Sequence, residues 1–557
     1  MHWDIYIGQI LRKLAHVDGF YRALKNPAEA QRQKLNKIIK ANTESQFGKD
    51  HHFAQIENYK DYQSRVPASD YEYFRPYVER LAKGELKQLT VEEPLMFATT
   101  SGTTASPKWL PVTPQHLSDY THAFHVHNYS IINDIPKAAT GKFLTIASND
   151  EESRTMSGIP CGAISGLLAR KQSPIIKRHF ALPYEICKVK DVDAKYYLML
   201  RAALMQDVTA VVGCNPSSLL LLGDQLKKYS HDLIGDIANG TLSKKFDLSD
   251  ILPPDAQGCF DKYLNPDPKR ARHLEGLLER NGSLRPENIW PNLSVISCWK
   301  GGPMSFYLDK LNDLYGPVPV RDLGYMASEG RGTIPIHNEG SSGILAVTSH
   351  FFEFVEEDEI EKENPTYLTV EDLKLNGRYY IFFTTSAGIY RYNINDLMEV
   401  TGFVANTPLI RFVRKGLGVS SITGEKLTEE QVLVALNQSV QLARLEGLVH
   451  FTVEVKLSSP PHYVCYVEMA ENNLIGREKH HEFERIFDQC LIAQNPEYKD
   501  KRLGLRLDRP RLELLKPGTY TRLRQQRVKE GAPEAQVKIP LLSAPQSFSQ
   551  RLELLQR

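Results

Sequence analysis

Cysteine is sparse and scattered in this chain of 557 residues: seven, at positions 161, 187, 214, 259, 298, 465 and 490, with no Cys-x-x-Cys pair. That odd, unclustered set argues against a disulfide framework and points to free thiols in a reducing compartment, so a cytoplasmic setting is expected. An excess of either charge is also missing. Lys and Arg number 68 and Asp and Glu 67, for a net charge of +1, which gives no global drive towards nucleic acid or an anionic membrane. No apolar run is long enough to span a bilayer. The opening Met1-His2-Trp3-Asp4-Ile5 lacks a basic region followed by an apolar stretch, so no signal peptide is expected. Internal repeats and long low-complexity tracts are absent as well.

What is present is an ordinary globular mixture, 41% hydrophobic and 24% charged. The length exceeds what one hydrophobic core supports and predicts two or more domains. Apolar spacing predicts helices over 7–24 and 29–41. Thr113-Pro114 is a helix-start signal, and the helix it opens carries His116, His122, His125 and His127. Four histidines could bind a metal, but no carboxylate stands at ligand spacing, and helix-face histidines are the simpler reading. Strands are expected over 141–148, 208–214, 293–299, 318–323, 344–354, 378–385 and 388–393. Helices over 196–205, 219–229 and 307–315 alternate with several of them across Gly/Pro turns, which predicts an α/β core with mostly parallel sheets. Composition changes near 409–416, where the domain boundary is placed: residues 1–414 form the large domain. Residues 415–557, with helices over 428–442 and 477–494 and strands over 450–457 and 463–469, form a small α+β domain.

Three stretches carry candidate chemistry. Thr99-Thr100-Ser101-Gly102-Thr103-Thr104-Ala105-Ser106-Pro107-Lys108 follows a strand-like lead-in. Small side chains and Gly102 let backbone N–H groups approach an anion, and Lys108 adds a positive charge, which suits a triphosphate. It is not a Walker loop, because Pro107 and Trp109 flank the lysine where Gly and Ser or Thr are needed; a hydroxyl-rich surface turn is the alternative. At the end of the 318–323 strand stands Tyr325-Met326-Ala327-Ser328-Glu329-Gly330, where open α/β sheets bind ligands. Tyr325 offers a flat face to a nucleobase and Glu329 an oxygen to Mg²⁺, or the segment is a polar turn. Tyr390-Arg391-Tyr392-Asn393-Ile394-Asn395-Asp396 ends on a carboxylate able to accept ribose hydroxyls, or on an exposed strand-end aspartate. Gly158, Gly162 and Gly166 are spaced by four, which suits either close approach of a ligand or tight backbone packing.

In order and separation these motifs resemble the auxin-responsive-promoter family of acyl acid–amino acid amido synthetases, named after Gretchen Hagen, within the luciferase-like adenylate-forming superfamily. The likeness extends through Trp299-Lys300-Gly301-Gly302, Ser349-His350-Phe351-Phe352-Glu353-Phe354, Gly424-Glu425-Lys426, Pro517-Gly518-Thr519 and Gln536-Val537-Lys538. The resemblance implies the adenylate-forming fold: a large N-terminal domain of mixed and parallel sheets with flanking helices, and a small mobile α+β domain. It implies ATP and Mg²⁺ as cofactors, and a carboxylic acid and an amine, that of an amino acid, as small-molecule partners. Nucleic acid and membrane are not expected partners, and a monomer is favoured. Thr100, Ser101, Gly102 and Thr103 would cradle phosphate, with Lys108 beside them. Tyr325 would stack near adenine, Ser328 and Glu329 would meet phosphates and metal, and Asp396 would hold the ribose. Phe352, Glu353 and Arg414 would line the nucleotide site. Ser157, Gly158, Gly162 and Ala163 would form the amine-acceptor region. Lys538 would stabilise charge on the α-phosphate. Two departures stand out: Ser106 replaces a frequent second Gly, and Asn393 and Asn395 replace the Arg and Gly of the usual Tyr-Arg-x-Gly-Asp. The alternatives are an acyl-CoA or acyl-thioester synthetase and a non-catalytic nucleotide-binding homologue.

Overall fold

A computed structural model describes residues 3–100, 108–243, 245–246, 251, 257–301, 304, 307–416, 418–470, 476–529, 539–543 and 547–556. These group into two compact units, one within Met1–Thr99 and Trp109–Arg414 and one within Thr100–Lys108 and Lys415–Arg557. Among the described residues no helix is long and apolar enough to cross a membrane.

The first unit opens with helices. The expected helix over 7–24 is broken: Trp3–Arg12 passes through a π-helical turn, Lys13–Val17, into Asp18–Ala23. Such wide turns insert one residue and shift the faces on either side, and here His16 sits in the turn. Pro27–Ala41 follows, with the Asn26 side chain accepting from the Glu29 N–H. Gln31 on this helix does unusual work for its type. Its amide donates to the carbonyls of Val347 (2.8 Å) and His350 (2.6 Å), and its oxygen accepts from Phe352 N (2.8 Å).

The alternation of strand and helix builds one all-parallel sheet of Lys142–Ile146, Val208–Gly213, Val295–Cys298 and Val320–Asp322, in that order. The helix after the second strand, Pro216–Lys228, starts at an Asn215 cap. Both faces of this sheet are covered, as parallel sheets require. Beside it lies a sheet ordered Lys108–Val112, Met96–Thr100, Pro160–Gly162, Ser153–Arg154.

The expectation of mostly parallel sheets fails for the largest one. It has six strands, Thr333–Ile334, Gly343–Leu345, Thr407–Lys415, Tyr392–Val404, Arg378–Thr384 and Phe351–Glu356, and every pairing with a described register is antiparallel. The single strand expected over 344–354 is two strands. Between them the chain turns at 347–349 and crosses to the far edge of the sheet, and Gln31 satisfies two carbonyls and one N–H of this segment. The second unit is α+β. Leu448–Lys456 and His462–Met469 pair antiparallel, Arg511–Leu515 and Leu542–Ser543 flank them in parallel, and Glu429–Leu442 packs on Arg477–Gln494. Thr428 and Gln431 close a capping box at the first of these helices. Glu425, fully buried, accepts from the N–H groups of Ile422 and Thr423 and from the Tyr463 hydroxyl.

One buried ion pair ties the antiparallel sheet together. Arg391 Nε lies 3.0 Å from both oxygens of Glu353, and the two side chains are 4% and 1% exposed. Tyr59 donates to Glu353 Oε1 at 2.8 Å, and Arg391 Nη1 donates to the carbonyls of Gln63 and Val66. Removing one member of such a pair leaves a buried charge uncompensated. Glu353→Ala is therefore expected to lower the unfolding free energy by about 3–5 kcal/mol in a denaturant titration, with the double change Glu353→Leu/Arg391→Met costing less than the single one.

Candidate active site

The strand Val320–Asp322 runs into Gly324, whose φ of +87° and lack of room for a Cβ (2.6 Å from Thr333 O) require glycine. The turn delivers Tyr325, whose N–H donates to Thr333 Oγ1 at 2.8 Å. A short hairpin, Met326–Ala327 against Gly330–Arg331, then presents Ser328 and Glu329. The Tyr325 ring lies parallel to Phe412, 6.1 Å between centroids, and fills the space a Cβ at Gly332 would need.

Two carboxylates converge here from different sheets. Tyr325 donates its hydroxyl to Asp396 Oδ2 at 2.5 Å, and Tyr392 reaches Glu329 Oε1 at 3.5 Å. Glu329 is 3% exposed and its Oε2 has no hydrogen-bond partner. A buried carboxylate oxygen left without a donor is costly and suits a cation brought in with a ligand. Burial, reinforced by the neighbouring carboxylates, pushes the Tyr325 and Tyr392 phenols well above their ordinary range, so both remain neutral donors. The His116 ring lies against the Ser328 backbone and near Glu329; burial pulls its pKa down to about 4.

Asp396 sits in the motif that departs from the expected pattern, and the geometry accounts for the departure. Asn395, in the place of the usual Gly, has φ +59°, a left-handed conformation that asparagine tolerates. Its N–H donates to Asn393 Oδ1 at 2.8 Å, a local turn stabilised by the other replaced residue. Arg391, at φ +46°, is held in place by Glu353.

The other candidate residues lie as follows. Phe352 and Glu353 are buried in Phe351–Glu356, where the Glu353 carboxylate faces Arg391 and Tyr59 rather than Glu329. Arg414 pairs with Glu357 at 2.9 Å. Thr100 ends its strand and Lys108 begins the next. Ser101, Gly102, Thr103, Ser106 and Lys538 lie outside the described residues. Ser157 gives its hydroxyl to Ala82 O, and Gly158 has φ +85° with open space where a Cβ would stand. Gly162 and Gly166 pack against the backbone of 148–150, where a Cβ would fall 2.5 and 2.3 Å from backbone atoms. Ala163 N donates to Asn149 O. Tight packing, one of the two readings of this glycine series, is what these two glycines show.

The helix Pro114–Asp134 places its histidines on two faces. His116 and His127 are buried, while His122 and His125 meet His16 of the π-helical turn, at 2.9 Å between ring nitrogens and 4.4 Å between stacked rings. Among the described residues no group of three or more His, Cys, Asp or Glu side chains could hold a metal ion. His16 and His350 carried no sequence signal; only the tertiary fold brings them to these positions.

The chain shares the fold of the acyl acid amido synthetases. A solved GH3.15 acyl acid amido synthetase matches at a TM-score of 0.65 over 96% of this chain and 94% of its own, with 23% identity; the same enzyme type in complex with 2,4-DB gives 0.66 over 96% and 95%, with 22% identity. The GH3 family N-terminal domain matches residues 16–320, the central domain 343–415 and the C-terminal domain 430–547. The chain belongs to the GH3 family. Among curated relatives, the indole-3-acetic acid-amido synthetase GH3.3 of Arabidopsis thaliana is 24% identical over 95% of this chain and 91% of its own length. The jasmonoyl-L-amino acid synthetase JAR4 of Nicotiana attenuata is 24% identical over 96% and 94%.

The histidines set an acid limit. Burial, first, lowers His116, His122 and His125 to about 4 each, and His127 and His350 well below their ordinary value. Unfolded, each binds its proton near pH 6.5. The stability they confer is thus complete above about pH 6.5 and is lost as pH falls towards 4. The thermal midpoint measured from pH 8 downward should be flat and then drop through this window. His116→Gln should make the drop shallower, since one fully buried histidine contributes a slope of about 1.4 kcal/mol per pH unit.

Proposed function

We propose that this protein is an ATP-dependent ligase that activates a carboxylic acid as its acyl adenylate and passes the acyl group to an amine, that of an amino acid. The observation that carries the reading is the buried Glu329 carboxylate, its Oε2 without a donor, beside the Tyr325–Asp396 pair at the end of a parallel strand. Family membership over nearly the whole chain and the amido synthetase activity of the relatives support it.

In the first step a substrate carboxylate oxygen attacks the α-phosphorus, the bond to the bridging oxygen breaks, and pyrophosphate leaves. In the second, the amine nitrogen attacks the acyl carbon, AMP leaves and the nitrogen loses a proton. Glu329 would hold Mg²⁺, which neutralises phosphate charge when bound. Tyr325 presents its ring to the adenine, and Asp396, oriented by the Tyr325 hydroxyl, accepts from the ribose. Thr100, Ser101, Gly102, Thr103 and Lys108 would cradle phosphate, with Ser328 beside them. Lys538 would come from a mobile second domain, 415–557, to steady the α-phosphate and exclude water from a hydrolysable adenylate. Phe352, Glu353 and Arg414 would belong to the nucleotide side of this site. Ser157, Gly158, Gly162 and Ala163 belong to the acceptor side. Seven free cysteines fit a cytoplasmic setting.

Acid-dependent exchange of pyrophosphate into ATP tests the first step, and amine-dependent against thiol-dependent release of AMP tests the second; absence of exchange with every acid would sink the reading. Glu329→Gln should slow exchange by about 100-fold or more while leaving the thermal midpoint unchanged or raised, because a buried uncompensated charge is removed. Lys538→Ala should slow exchange severely in a protein that stays folded.

A further inference from the structure

Two residues beyond Glu329, Arg331 is completely buried. Its Nε donates to Thr333 O at 3.2 Å and its Nη2 to Leu323 O at 2.7 Å, but Nη1 has no partner. Among the described residues no carboxylate forms an ion pair with it. The guanidinium lies over the Phe124 ring, 4.1 Å from the centroid. One helical turn before Phe124, Tyr120 donates to Ala327 O at 3.2 Å, and its phenol feels both the Glu329 carboxylate and the Arg331 guanidinium. The arginine and the candidate metal ligand thus flank the same tyrosine. Phe124, Cys214, Met326 and Ala327 each keep part of their surface open, so the buried cation lies beneath a partly open, largely apolar wall. On the same side His127 gives Nδ1 to Pro335 O at 3.1 Å and leaves Nε2 without a partner.

A buried guanidinium bridging two carbonyls has no carboxylate in ion-pair contact: Asp322 acts on it only from a distance, its oxygens taken by the N–H groups of Lys300 and Gly324, and carbonyl oxygens offset only part of the cost of burying its charge. Both N–H groups of Nη1 and the second N–H of Nη2 are unused by any described partner. Together they form the end-on fork that takes a carboxylate bidentately. A neutral hydroxyl would satisfy one N–H and leave the charge. We propose that Arg331 anchors a second carboxylate of the acid substrate, so that this chain takes a dicarboxylic acid and activates the carboxyl group remote from Arg331. The role of the bound acid rests on the adenylating reading above; its binding does not.

The test uses glutarate, adipate and suberate against pentanoate, hexanoate and octanoate on the full chain. Calorimetric binding without ATP and pyrophosphate exchange are measured for wild type, Arg331→Met and Arg331→Lys. The best dicarboxylate is expected to bind wild type about 100-fold tighter than its monocarboxylate partner, because a fork built for a carboxylate is left unpaired by the analogue. Arg331→Met should erase that ratio, and Arg331→Lys, which keeps the charge but loses the fork, should keep a small part of it. No preference in wild type, or an undiminished preference in Arg331→Met, overturns the proposal. So does a variant that loses stability and all acids equally, which would make Arg331 a purely structural bridge. If Arg331→Met does not fold, the wild-type ratio and Arg331→Lys decide. Arg331-dependent dicarboxylate binding without exchange would sink the adenylating reading and keep the anchor; exchange with monocarboxylates alone would do the reverse.

Discussion

The candidate site depends on where the antiparallel sheet puts the start of its longest strand, and the Arg391–Glu353 pair fixes that point. Arg391 adopts a left-handed backbone that L-residues avoid, directly before Tyr392–Val404. Its side chain is held at once by a carboxylate from the edge strand and by two carbonyls of the 63–66 segment. With so many contacts converging on one guanidinium, the strained backbone persists because its surroundings over-determine it. Five residues on, Asp396 inherits that placement. Glu353 therefore supports the site without pointing into it.

The two carboxylates are held in different ways. Asp396 is oriented by a short hydrogen bond from Tyr325, a ring that glycine at 332 makes room for. Glu329 has only a long contact from Tyr392 and an oxygen without a donor. One is prearranged for neutral donors such as hydroxyls, and the other is left incomplete in a way a cation can complete. Their meeting point is where the all-parallel sheet hands the chain to the antiparallel one. Neither sheet alone carries both.

Much of this was legible locally. Thr113, Asn215 and Thr428 announce helix starts by side-chain chemistry that needs no tertiary context. The strand-turn-helix rhythm predicted the parallel sheet, and Tyr325, Glu329 and Asp396 could be named from strand-end positions. What could not be read depended on partners far away in the chain. The 344–354 run reads as one strand, but its polar Thr348-Ser349-His350 centre lies at a turn that carries the chain to the far edge of the antiparallel sheet, and two carbonyls and an N–H of the segment are held by Gln31, more than three hundred residues earlier. The 378–385 and 388–393 segments read as a hairpin-like pair, and Arg378–Thr384 does pair antiparallel with the next strand, which begins at Tyr392; the four other strands of the sheet could not be joined to it, because local periodicity carries no information on distant partners. Asn395 reads as a departure from a glycine motif until its φ of +59° shows a left-handed backbone of the kind glycine favours.

Gln31 also changes what counts as the sheet. Three backbone groups of 347–352 find their partners on one helical side chain, so Pro27–Ala41 behaves as a stand-in for a missing strand segment rather than as an outer layer. A fragment of the first unit beginning after residue 31 would keep every strand yet leave two carbonyls and an N–H buried without partners. The N-terminal limit of the smallest autonomous first unit is therefore set by the hydrogen-bond bookkeeping of a turn near the middle of the chain.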